Sequence, residues 1–357
     1  MESTCLITGG GGFVLMHVAR EFLESAGGSR VVLFDRRFDD AVRALLAPYH
    51  ARVVYFEGDV TDRGAWEAVA QEWSAQLTHI VAGAALTPTE ADERAHSADV
   101  LRVNLFGCVD ALELARGLGE QLRRFVFISS DAVYGTPGLA RPEAWAAPPS
   151  GGLACASTWG DAGRPALPGL YALSKWTAEC AVRTYVQLHG LRATIVRFAD
   201  VYGAGDRDTG ARNRHNEPHR VMRAVLDGAR PVYYRGELDD AVADSVYAPD
   251  VASAMLLLLL APPQSRPRQA LYNITMGGCP TLRQFLGAMG AAVLEGAVPA
   301  AEGAVPDMST LPADHHLRME PYNLPSAPLE EEFGWTRTPL PEACAQYLAW
   351  VRETNIA

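Results

Sequence analysis

Three side chains of this sequence have the types and spacing to move a hydrogen. Tyr171 and Lys175 lie four residues apart in "YALSKWTAE", a spacing that puts both on one face of a helix. A phenol has a reference pKa of about 10, too high for a base near neutrality, and a nearby ammonium favours the phenolate. Ser130 follows an apolar run in "FVFISSDAVYG", residues 125–135. There its hydroxyl can hydrogen-bond a substrate oxygen while the phenol exchanges a proton with it. Tyr-x-x-x-Lys alone could equally mark an exposed helix face. Preceded by this strand and this serine, it reads as an acid/base set acting on an alcohol or a ketone.

Oxidising an alcohol also requires a hydride acceptor, which no side chain supplies. The stretch "TCLITGGGGFVLMHVAREFLE", residues 4–24, offers a place for one. Gly9 and Gly12 follow a first strand, and Gly10 and Gly11 keep the turn free of Cβ atoms. Such a turn admits positive φ and lets a pyrophosphate approach the backbone, with N–H donors from the following helix. Leu15 stands where the last glycine of the dinucleotide fingerprint is expected. That glycine serves mainly close helix–strand packing, so its loss shifts the helix without removing the anion site. Asp35 ends the second strand in "VVLFDRR", at the distance of an acid that accepts from an adenosine ribose hydroxyl and repels a 2′-phosphate. NAD is therefore expected over NADP, with Arg36 and Arg37 keeping the phosphorylated cofactor open. "GDVTD" at 58–62, with Asp59 and Val60, and "VAGAAL" at 81–86, with Ala82, are further strand ends of the kind that line such a crevice.

The elements that must position these residues alternate. Strands are expected at Cys5–Thr8, Arg30–Asp35, Arg52–Glu57, His79–Ala82, Arg124–Ser129 and Thr194–Phe198, with helices at 13–25, 39–47, 63–74, 98–117 and 171–189. This predicts an α/β chain, a Rossmann-type doubly wound parallel sheet. Residues 203–220 ("GAGDRDTGARNRHNEPHR") read as a long polar loop, followed by a helix near 220–228. The expected division is a cofactor domain over 1–202, a return to the sheet within 241–262, and a smaller interwoven substrate lobe over 203–357. The Pro-, Gly- and Ala-rich stretch 136–170 reads as a surface excursion carrying Cys155 and Trp159.

Composition narrows the function classes. With 357 residues, 48% hydrophobic and 20% charged, the chain is long enough for one large domain or two modest ones. A net charge of −11 argues against a nucleic-acid surface. Cys5, Cys108, Cys155, Cys180, Cys279 and Cys344 form no C-x-x-C pair, which speaks against zinc and a disulfide framework and for a reducing cytoplasm. The N-terminus enters a strand with no leader pattern, and the run "VASAMLLLLLA", Val251–Ala261, is too short to span a bilayer and reads as a buried helix. His215 and His219 are four apart, but Pro218 disfavours a helix between them and no metal site is expected. His315 and His316 read as a surface pair.

In order along the chain, "TGGGGFV", "GDVTD", "VNLFG", "ISSDAVYG", "YALSK" and "VRFADVYGAGD", with "DSVYAPDVA", "YNITMGG" and "FGWTRTPL" beyond, resemble the extended short-chain dehydrogenases/reductases of the NAD-dependent epimerase/dehydratase type. The resemblance implies that Ser130, Tyr171 and Lys175 are the catalytic set, with Lys175 also holding the nicotinamide ribose. It implies cofactor contacts from Gly9, Gly12, Phe13, Asp35, Asp59 and Val60, and a homodimer formed through the helix carrying Tyr171 and Lys175. Besides Leu15, three features depart from the pattern. Ala132 stands where 4,6-dehydratases carry a glutamate beside an aspartate, although Asp131 is present. Ala243 replaces an arginine that commonly meets a sugar-nucleotide diphosphate, and the segment between Tyr134 and Tyr171 is long.

The resulting expectation is NAD-dependent hydride transfer at a secondary alcohol or ketone of a small sugar-like or polyol-like substrate. Net dehydrogenation or reduction is favoured, epimerisation through a keto intermediate follows, and a non-catalytic NAD-binding scaffold is the third reading. Arg207, Arg212, Arg214, Arg220 and Arg223 are either a solvated loop or a clamp for an anionic group. On the second reading Asp131, Arg207 and Arg212 face the substrate. Ala243 sets the expectation that this substrate is not a nucleotide-diphosphate sugar.

Overall fold

The computed structural model describes residues 3–25, 27–134, 169–198, 200–211, 244–262, 270–278, 280–288 and 326–354. Its first half follows the expected alternation: β1 (Thr4–Thr8), α1 (Phe13–Ser25), β2 (Arg30–Asp35), α2 (Asp40–Leu46), β3 (Val53–Glu57), α3 (Arg63–Trp73) and β4 (Leu77–Ala82). Then come α4 (Glu90–Ala95), α5 (Ser97–Leu101), α6 (Gly107–Leu118), β5 (Arg124–Ile128), α7 (Gly169–His189) and β6 (Ala193–Phe198). The single helix expected over 98–117 is interrupted by a π-helical turn, Arg102–Phe106. Asn104 in that turn is buried and hydrogen-bonded across to other segments, a use of the wider turn often found near functional sites.

Seven strands form one parallel sheet in the order β3-β2-β1-β4-β5-β6-β9, where β9 is Leu271–Ile274. All five residues of β1 are buried, as a central strand covered on both faces requires. The strand order reverses at β1, so the crevice beyond the carboxyl ends of β1 and β4 is the natural ligand site. One face packs on α1 through Leu15, Val18 and Phe22 together with Met255 and Leu258 of α8 (Ala248–Leu260). The other packs on α3, α6 and α7 through Val69, Leu112, Ala178 and Val182. The apolar run from Val251 is thus a buried helix, as read. Among the described residues no helix is long and apolar enough to cross a membrane.

The return to the sheet differs from expectation. Ser245–Tyr247 (β8) does not join the large sheet but pairs in parallel with Asp200–Tyr202 (β7). The return is made by β9, a short strand whose apolar run is interrupted by Asn273. Tyr202 and Tyr247 lead into a small third core with Phe285 of α9 (Leu282–Ala288) and Tyr347 of α11 (Leu340–Thr354). Between these helices in sequence, α10 (Ala327–Phe333) adds Leu329 to the main core. The helix expected near 220–228, the excursion 136–168 and His215, His219, His315 and His316 lie outside the described residues.

Candidate active site

The glycine turn closes on itself: Gly12 N–H donates to Gly9 O at 2.8 Å, and Gly9 N–H donates to Phe34 O at 2.8 Å. Gly9 has φ +76°, and a Cβ there would sit 2.8 Å from Ala84 Cα. At Gly11 a Cβ would sit 2.5 Å from Arg37 O. Glycine is therefore demanded by the protein's own packing. Leu15 has found room in an unexpected way. Its Cδ1 lies 2.6 Å from where a Cβ of Gly83 would be, so the glycine at the end of β4 opens the space that the missing third glycine usually provides.

Asp35 ends β2 with Oδ2 accepting from Gly11 N–H at 2.9 Å and Oδ1 from Arg36 N–H at 2.7 Å. Burial pushes its carboxyl up, opposed by those N–H groups and the Arg36 charge. Asp59 accepts from Thr61 N–H and Oγ1, both at 2.8 Å. From Asp35 a cleft of about 1440 Å³ runs past Gly9, Gly12 and Phe13 to Ser130, Tyr171 and Lys175. Asp59, Val60 and Asp131 also border it. Ala82 does not: its side chain is buried in the core shared with α6 and α7, and Gly83 and Ala84 form the wall instead. A dinucleotide fits this arrangement, with a glycine turn before a helix, an acid at the end of β2 and a cleft that reaches Ser130, Tyr171 and Lys175.

Arg207 is placed differently from a substrate clamp. Its guanidinium forms a two-pronged pair with Asp39, at 2.6 and 2.8 Å, and donates to Gly11 O at 3.0 Å. These partners commit it to the glycine-turn end of the cleft. Arg37 Nη2 adds a bond to Thr209 O at 2.7 Å, so residues 207–209 are strapped across the turn. Arg212, Arg214, Arg220, Arg223 and Ala243 lie outside the described residues.

At the far end, Ser130 Oγ donates to Asp131 Oδ1 at 2.9 Å. Lys175 is buried and donates to Ile128 O at 2.8 Å, its Nζ 5.9 Å from the centre of the Tyr171 ring. Ser130 and Thr87 both hydrogen-bond the Tyr171 phenol. The electrostatics reverse one expectation. Burial pushes the phenol up to about 12, outweighing the two hydroxyl partners, with Asp131 and Asp200 adding to the rise. Burial also lowers Lys175 to about 8. These groups thus favour the neutral phenol at Tyr171. Asp131 rises to about 7, through burial first and then the charge of Asp200.

Supporting residues complete the set. Glu179, one turn beyond Lys175, is buried and bonded twice to Arg197 of β6, at 2.7 and 2.6 Å, and accepts from Ser129 Oγ at 2.5 Å. The Arg197 guanidinium lies over the Tyr134 ring at 4.6 Å. Asn104 Nδ2 donates to Leu86 O and to Ser174 Oγ, both at 3.0 Å. Glu179 and Asn104 stand inside "YALSKWTAE" and "VNLFG", but only the pairing across the fold gives them roles.

The pattern of the NAD dependent epimerase/dehydratase family matches residues 5–275. A dTDP-glucose 4,6-dehydratase of Mycolicibacterium smegmatis is 26% identical over 332 residues, covering 92% of this chain and 87% of the relative. A dTDP-L-rhamnose 4-epimerase of Burkholderia thailandensis is 25% identical over 298 residues, 76% of each chain. The crystal structure of a Thermus thermophilus UDP-glucose 4-epimerase, a complex with NAD, superposes with a TM-score of 0.69 at 24% identity, over 98% of this chain and 99% of that one. Sequence, sheet and cleft agree: the chain belongs to the NAD-dependent epimerase/dehydratase family, enzymes of the extended short-chain dehydrogenase/reductase type that use NAD.

Proposed function

We propose that the protein transfers a hydride at a secondary alcohol or ketone of a sugar-like substrate. Tyr171 is the general acid/base, Ser130 orients the substrate oxygen, and Lys175 supports charge on the phenolate and grips the cofactor ribose. The observation that carries this reading is the meeting of the three side chains at one end of a cleft whose other end is the glycine turn and Asp35. NAD, when bound, supplies the hydride acceptor and, once reduced, the donor. The protein's part is the proton: in reduction the phenol gives it to the substrate oxygen, and in oxidation takes it back with the Ser130 and Thr87 bonds favouring the phenolate. In the resting site Ser130 donates to Asp131 and accepts from Ala132 N–H at 3.2 Å, and it orients the substrate oxygen or favours the phenolate by turning that one proton away from Asp131.

A second reading, return of the hydride to the opposite face of the same substrate, is supported by the relatives described as epimerases. Dehydration is disfavoured by Ala132, whose methyl group can exchange no proton where 4,6-dehydratases carry a glutamate. The relatives' names support nucleotide-linked sugars as the first substrate class to try, against the expectation drawn from Ala243. A homodimer through α7 belongs to the same reading, supported by the exposure of Phe106 and Leu173. So do a cytoplasmic setting, a substrate lobe built on the small third core, and the absence of any metal requirement.

The test is a panel of UDP-, dTDP- and GDP-sugars, sugar acids and free sugars, following NADH and product stereochemistry together. NADH accumulation supports a dehydrogenase, and an inverted product without it supports an epimerase. No turnover across the panel, in a protein that binds NAD, contradicts the reading and favours a scaffold.

A further inference from the structure

We propose that Glu93, on the short helix α4, is a positioning residue that holds the first turn of α7 and with it Tyr171. The inference rests on the functional reading of Tyr171 given above. Glu93 Oε1 accepts the backbone N–H of Tyr171 itself at 2.7 Å, across 78 residues of sequence. The leading N–H groups of a helix have no partner within it, and α7 carries no acid in its own first turn. The carboxylate supplies that partner from outside, where negative charge also suits the helix dipole. Gly169, which opens α7, has φ +89°, and a Cβ there would collide with the same carboxylate. The junction is therefore closed from both sides: the helix start is shaped to receive Glu93.

Glu93 is itself held. Thr89 and Asp92 form a reciprocal capping box at the start of α4, Glu93 N–H donates to Thr89 O at 2.9 Å, and Ser97 Oγ donates to Glu93 O at 2.6 Å. The segment after β4 then grips Tyr171 at three points. Thr87 bonds its hydroxyl, Glu93 bonds its N–H, and Asn104 bonds Ser174 Oγ, which donates to Tyr171 O at 2.6 Å. Glu90, Glu93, Arg94 and Ser97 also border the cleft. A phenol displaced from Ser130 loses proton transfer while the glycine turn and Asp35, on other elements, still hold the cofactor.

The experiment compares Glu93→Ala and Glu93→Gln with the parent in three measurements. They are turnover of whichever panel sugar reacts, NAD affinity by calorimetry, and amide exchange resolved at Tyr171 and at Val182 farther along α7. In Glu93→Ala, kcat falls about tenfold and Tyr171 exchange speeds by about the same factor. NAD affinity stays within about twofold and Val182 exchange is unchanged. Glu93→Gln, which keeps an oxygen acceptor, restores most of both losses. If Glu93→Ala does not fold, Glu93→Asp, whose shorter reach breaks the same bond, takes its place. Unchanged Tyr171 exchange, or a loss of kcat that Glu93→Gln does not recover, overturns the proposal. Retained turnover in Tyr171→Phe would instead overturn the functional reading and leave the exchange result standing.

Discussion

The two ends of the cleft are built by different means. The cofactor end is a set of short segments read in sequence order: a glycine turn after β1, an acid after β2 and a strap of residues 207–209, joined largely by backbone groups and one partly exposed ion pair. The catalytic end is held by buried and half-buried polar side chains that meet across the fold. These are Lys175 on Ile128 O, Glu179 on Arg197 and Ser129, and Glu93 on Tyr171. The first kind of construction tolerates a substituted residue if a neighbour gives way, as Gly83 does for Leu15. The second does not, because every buried polar partner left behind must be desolvated without compensation.

The largest expected effect separates the two ends. Tyr171→Phe lowers kcat by roughly 10²–10⁴-fold, while calorimetry finds NAD affinity within about twofold of the parent. Equal losses in both would mean that the ends are not independent. Next, Arg197→Met strands the Glu179 carboxylate among buried groups and costs about 3–5 kcal/mol in urea unfolding. A loss below about 1 kcal/mol would show that the pair is no more than a surface bridge in effect.

A smaller effect probes the compensation at the cofactor end. Gly83→Ala sets a Cβ 2.6 Å from Leu15 Cδ1 and costs about 1–3 kcal/mol. Adding Leu15→Ala then relieves the crowding, so the double variant loses less than the two single losses together. Simple additivity would refute the exchange of space between the two positions. The smallest effect is a slope. Asp131 titrates near 7 in the folded protein against about 3.8 unfolded, so the folded state holds the extra proton between these values. The associated stability is fully present below about pH 4 and lost as pH rises through about 7. Asp131→Asn flattens that part of the stability profile and gains on the parent above pH 7. An unchanged profile would mean that burial, with the Asp200 repulsion behind it, does not raise Asp131.

What the sequence made legible follows the same division. β1, β2 and the glycine turn are continuous patterns with local causes, and they were readable almost to the residue. Ser130, Tyr171 and Lys175 could be named because each sits in a short motif at an element's end. The buried environment of that set was not readable. A four-residue spacing promises an ammonium beside a phenol, but not that burial would outweigh the Ser130 and Thr87 bonds and raise Tyr171. For Arg207 the sequence leaves loop and clamp equally open for a related reason: its partner Asp39 lies 168 residues away, and charge in a loop carries no sign of which end of a cleft it serves. β9 is harder to read than the similarly short β1 because Asn273 interrupts its apolar run.

In the oxidising direction of the proposed reaction, a hydride leaves the substrate for NAD and Tyr171, which must first give up its own proton, takes the one from the substrate hydroxyl. Rapid mixing of the NAD-loaded protein with a reacting panel sugar, following the near-ultraviolet absorbance of the bound cofactor, tests it most directly. The account predicts that reduced cofactor forms at least transiently in the parent and fails to form in Tyr171→Phe, although that variant keeps its NAD. Product formed with no cofactor reduction at any time, or the same transient in Tyr171→Phe, would contradict it.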